Sequence, residues 1–73
     1  MTFEEIKKVV DQKPFRPFEI RLDDGTKLRF KERHGILISP HFFSVPDGQG
    51  DTRWIDFPAV LQAVYLDEIV EVY

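Results

Sequence analysis

Seventy-three residues with a net charge of −3, 42% of them hydrophobic and 14% aromatic, make one small domain spanning 1–73. The apolar content is too high for intrinsic disorder, and the negative charge disfavours a general nucleic-acid binder, which needs surplus Lys and Arg to displace counterions. With no cysteine the chain has neither a disulfide nor a thiolate zinc site, which suits a reducing compartment and so the cytoplasm.

A chain this short buries only about 60% of its unfolded surface, so its single core is marginal unless packing is very regular or copies associate. Its first residues, MTFEEIKKVV, contain acids and no long apolar run, and read as neither a signal peptide nor a membrane span. Thr2 and Glu5 stand at capping-box spacing. Phe3, Ile6, Val9 and Val10 recur at helical spacing, and Glu4 precedes Lys8 by one turn. These predict a helix over about 3–12.

Lys13 to Pro17 then form a stiff linker. Pro14 and Pro17 disfavour helical geometry at Lys13 and Arg16, so the crossing is expected to be extended, with Phe15 and Phe18 packed between helix and sheet. The two prolines also make a P-x-x-P, but no basic residue flanks it as such ligands require. Asp11 stands upstream and Glu19 downstream.

From Phe18 the period changes to two. Phe18, Ile20 and Leu22 alternate with polar residues, as do Thr26, Leu28 and Phe30 beyond Asp23-Asp24-Gly25. Apolar positions are even on both strands, so facing positions must have an even sum. A two-residue Asp24-Gly25 loop gives an odd sum and sets Leu22 against Lys27. A three-residue loop with Gly25 at the left-handed third position sets Leu22 against Thr26, Ile20 against Leu28 and Phe18 against Phe30. It also puts Glu19 opposite Arg29 on the outer face.

Shorter pieces follow. Gly35 opens Ile36-Leu37-Ile38, which reads as a buried strand; Phe42 to Val45 resumes after Ser39-Pro40; and Pro46 to Asp51 is dense in turn residues. Residues 58–64 fit either a short helix capped by Asp56 or a tight turn at Phe57-Pro58-Ala59 leading into a strand. The β-branched residues that continue to Val72 favour the strand.

Pro14-Phe15-Arg16-Pro17-Phe18, followed by an alternating strand and Asp24-Gly25, resembles the start of a family of small uncharacterised bacterial proteins that carry P-F-R-P-F after a short amphipathic helix. The likeness covers roughly the first half of the chain and implies no catalytic residue. The order of elements is similar to SH3- and Sm-like small barrels. The expected fold is therefore mainly β (α+β), an N-terminal helix followed by a small antiparallel five- or six-stranded SH3/Sm-like barrel over about 18–73.

Sites for chemistry are sparse. His34 and His41 lie seven apart with Asp47 and Asp51 nearby, but nothing fixes tetrahedral convergence. Ser39 and Ser44 lack a nucleophile-elbow context. Asp47, Gln49 and Asp51 imitate the first ligands of a calcium loop, yet Thr52 and Pro58 occupy the positions of its glycine and glutamate. No enzyme activity, metal, cofactor or membrane partner is expected.

Two features carry the functional expectation. The first is a surplus of aromatics: Phe42, Phe43, Trp54, Phe57, Tyr65 and Tyr73 exceed what one small core hides, and of the adjacent Phe42 and Phe43 one must face outward on a strand. This points to a protein-interaction module, a homo-oligomer or one with a protein partner, contacting through Phe42, Phe43, Ile69, Val72 and Tyr73. The second is a basic stripe at period two, Lys27, Arg29, Lys31 and Arg33, which gives the alternative of an Sm-like RNA-binding protein.

Overall fold

The computed structural model describes residues 1–69. Among them one helix, α1 (Phe3–Val10), precedes six strands: β1 (Phe18–Leu22), β2 (Lys27–Phe30), β3 (Leu37–Ser39), β4 (Phe42–Pro46), β5 (Thr52–Ile55) and β6 (Val60–Tyr65). Single 3-10 turns at Phe57–Ala59 and Leu66–Glu68 flank β6.

The helix starts as its capping box dictates. Thr2 Oγ1 accepts from the Glu5 backbone N–H at 3.3 Å, and the Thr2 N–H donates to Glu5 Oε1 at 3.0 Å. Ile6 and Val10 go into the core. The helix stops before Gln12 because Asp11 becomes the cap: its N–H bonds the Lys7 carbonyl, and its carboxylate meets Lys7 and Arg33. The Lys13–Pro14 peptide that follows is cis. Both linker prolines are exposed, Phe18 is fully buried, and Phe15 is half-buried with its ring edge-on to Phe18 at 5.8 Å.

The hairpin follows the parity of its apolar residues. Phe18 pairs with Phe30, Glu19 with Arg29 and Ile20 with Leu28, and the Leu22 N–H donates to the Thr26 carbonyl at 2.9 Å. β6 pairs along the other side of β1, and a bulge there, with Leu22 facing Val60 and Arg21 facing Gln62, turns Leu61 out to solvent. The order of the first sheet is thus β2-β1-β6, and that of the second is β3-β4-β5. The turn-then-strand reading of residues 57–65 holds.

Both sheets turn their apolar faces to one core. Phe18, Ile20, Leu22 and Phe30 from the first meet Phe43, Val45 and Ile55 from the second, with Ile36 just before β3 and Ile6 and Val10 of the helix beside them. Phe57 bridges these parts, stacked on Phe43 at 6.0 Å and edge-on to Phe3 at 5.9 Å.

Two expectations are corrected. The six strands form two three-stranded antiparallel sheets and not a closed barrel, because closure needs an unbroken ladder and none joins β2 to β3. The chain between them bends over Lys31–Gly35, where Arg33 bonds the Ile36 carbonyl and sits 3.3 Å from Asp11. Nor is Ile36-Leu37-Ile38 wholly buried: Ile36 and Ile38 face inward, and Leu37 is exposed.

Gly25 and Gly35 separate two reasons for glycine. Gly25 has φ +90° with open space where a Cβ would go; Gly35 has φ +87° and a Cβ there would stand 2.9 Å from Pro46 Cγ. Gly25→Ala should therefore cost about 1 kcal/mol, the backbone penalty alone. Gly35→Ala should cost more, because Pro46 must also move. Urea unfolding of the two variants checks the order, and equal losses would remove the steric part of the argument.

Candidate functional site

Directly paired residues share a sheet face, so the register of the second sheet sorts its side chains. Ile38, Phe43 and Ile55 lie in one row and point to the core; Leu37, Ser44 and Trp54 lie in the next and point out, as does Phe42. Leu37, Phe42 and Trp54 are 58%, 41% and 67% exposed. Phe42 and Trp54 meet edge to face at 5.6 Å. Between the Leu37 and Trp54 strands Ser44 is buried, and its Oγ has no hydrogen-bond partner among the described residues.

This apolar face runs into an open groove. Trp54, Phe42 and His41 line it together with Phe57, Pro58 and Ala59, and so do Asp23 and Asp56. Asp23 is held there by its N–H, which donates to the Ala59 carbonyl at 2.9 Å. Neither the Asp23 nor the Asp56 carboxylate has a hydrogen bond or ion pair among the described residues.

The five residues expected at a partner surface are placed differently by the structure. Phe42 belongs to it; Phe43 does not, because strand alternation sends Phe43 to the core, where it is fully buried. Ile69 is half-buried after the last 3-10 turn, and Val72 and Tyr73 lie outside the described residues. Trp54 and Leu37, which are not among the five expected contacts, complete this face. The signal was available for Trp54, since its even position matches Phe42 across the β4–β5 turn, but only once the register is known.

The basic stripe is broken up. Lys27 and Arg29 lie on the outer face of β2, which ends at Phe30; Lys31 follows exposed, and Arg33 turns back to Asp11 and the Ile36 carbonyl. Lys27, Arg29, Lys31 and His34 line a second open depression that also holds Glu32 and Asp47. Beneath the stripe lies a carboxylate that the sequence suggested only as a neighbour. Glu19 is 1% exposed, clasped by Arg21 Nε at 2.6 Å and Arg29 Nε at 3.0 Å.

His34 and His41 lie in different depressions. Among the described residues no three His, Asp or Glu side chains gather as metal ligands, and no helix is long and apolar enough to cross a membrane. Asp47 closes its own loop, with Oδ1 accepting from the Gln49 and Asp51 N–H groups at 2.7 and 3.1 Å. No family model, curated protein or solved structure matches the chain.

Ser44 and Glu19 yield opposite expectations. Ser44→Ala removes a buried hydroxyl without a partner and should stabilise the domain by up to about 1 kcal/mol in urea unfolding; a clear loss would reveal a bond to that hydroxyl. The Arg21 guanidinium, then Arg29, hold the Glu19 carboxyl below the usual carboxylate range. Its folded pKa is thus below its unfolded one, about 4.3. Its contribution is full above that value and is lost as pH falls through the folded pKa. Glu19→Gln should therefore lower stability at neutral pH and shrink the loss seen on acidification. An unchanged acid limb would remove Glu19 from it, leaving Glu5, Asp11 and Asp24, whose pKa values are also lowered.

Proposed function

We propose that this domain is a protein-interaction module, not an enzyme, that acts in the cytoplasm and associates with copies of itself. The observation that carries the reading is the outer face of the second sheet, where Leu37, Phe42 and Trp54 stand exposed together. A core this small is short of apolar contacts, yet two of its largest aromatic and aliphatic groups are left outside beside a third. Clustered exposed apolar groups of this kind mark contact surfaces, and Trp is prominent among residues that dominate binding energy.

The resemblance carried by Pro14–Phe18 is consistent with this, because it implies no catalytic residue. RNA binding is the weaker reading. Arg33 is occupied by Asp11, Arg29 shares Glu19 with Arg21, and Glu32 and Asp47 stand in the same depression as the lysines.

Trp54 is the single tryptophan, so its fluorescence reports this face alone. Sedimentation across the micromolar range should show mass rising with concentration, with Trp54 emission shifting to shorter wavelength in parallel. Trp54→Ser should hold the chain monomeric. A wild-type monomer throughout, or a mass that rises only when an RNA oligomer is added, would overturn the reading.

A further inference from the structure

Three exposed side chains supply roughly 350 Å² of apolar surface, with an aromatic side chain burying about 150–250 Å². A stable contact commonly buries about 800 Å² on each partner. The apolar face alone is too small, and the charges around it decide what else the contact contains. Asp23 and Asp56 both line the groove that this face runs into, so two copies meeting symmetrically through it would bring four carboxylates into one contact. Those carboxylates have no counter-charge among the described residues, so such a pair is opposed by like-charge repulsion.

A surface of the opposite sign exists on the same chain. The outer face of the first sheet presents Lys27, with Lys31 just beyond the strand; with Arg29 they outnumber Glu32 and Asp47 in the second depression, and neither lysine has a hydrogen bond or ion pair among the described residues. The two sheets share one core, so their outer faces lie on different sides of it. The basic ridge that these two lysines make on one copy can therefore meet the acidic groove of another.

We propose that the chain associates head to tail, with the Lys27–Lys31 ridge of one copy seated in the Trp54–Phe42 groove of the next between Asp23 and Asp56. This rests on the self-association proposed above and names its geometry. Lysine stems cover apolar surface while their ammonium groups reach outward. The ammonium finds both the face of Trp54 and two carboxylates, a combination that favours a cation over a neutral group. Because groove and ridge are different surfaces, each bound copy still offers one of each, and association continues past the dimer into rings or filaments.

Complementation between two surface variants tests this. One, Asp23→Asn/Asp56→Asn/Trp54→Ser, lacks the groove; the other, Lys27→Glu/Lys31→Glu, lacks the ridge. Circular dichroism verifies that both fold. Each alone should be monomeric at concentrations where the wild type grows beyond a dimer, and an equimolar mixture should form a heterodimer that grows no further. Raising salt from about 50 to 500 mM should weaken wild-type association several-fold. If the wild type associates but the ridge variant does so equally well alone, or the mixture forms no heterodimer, the head-to-tail geometry is wrong while self-association stands. A monomeric wild type removes both.

Discussion

The packing of β1 against the second sheet is the constraint on which the rest depends. Phe18, Ile20 and Leu22 fill the inner side of the middle strand of their sheet, and all three are buried. Each contributes about 1.5–3 kcal/mol of burial, and together they match much of the 5–15 kcal/mol by which small domains are stable. Phe18 is the pivot. It faces Phe30 on one side and Tyr65 on the other, with Phe15 against its ring, so the linker and both flanking strands converge on it. The outer side of the same strand is closed by charge, with Glu19 sealed under Arg21 and Arg29.

The Pro14–Phe18 motif belongs to this architecture. Arg16 lies over the Tyr65 ring at 3.7 Å and reaches Asp67 Oδ1 and Oδ2 at 2.8 and 3.1 Å, while the Pro17 carbonyl accepts from the Leu66 N–H at 2.9 Å. Tyr65 in turn donates its hydroxyl to Gln12. The motif therefore binds the end of β6 to the end of the helix. A docking peptide would present its arginine and its rings to a partner; here both are engaged within the chain, and only the prolines remain outside.

What was legible in the sequence was local. A three-residue turn and a run of even-numbered apolar residues determine the β1–β2 register, since a slip of one would turn every side chain over. The Thr2–Glu5 cap is equally short-range. What was not legible depends on residues far apart. Lys31 and Arg33 continue the alternation of β2 in the sequence, but the backbone has already bent, and Arg33 is drawn to Asp11, 22 positions earlier. Closure of the strands fails in the same region. For Phe42 and Phe43, alternation says that one faces out, but choosing which requires the Phe43–Ile55 pairing across the β4–β5 loop. That Trp54 is the most exposed aromatic among the described residues follows from that same pairing.

A formal charge of −3 conceals the separation of signs that gives this small surface its character. Asp24 is paired with Arg53 at 3.6 Å, Asp11 with Lys7 and Arg33, and Asp67 with Arg16, so much of the acidic excess is already matched. Among the carboxylates left without a partner, Asp23 and Asp56 are the two that lie beside the exposed aromatics. Carboxylates there keep the apolar face soluble and guard it against indiscriminate apolar contact, since an approaching neutral surface would have to strip their water without replacing it. A cation loses less, because it meets opposite charge as its own water leaves. The arrangement is selective for that reason: the same two groups that make the aromatic face tolerable in water determine the sign of what can cover it.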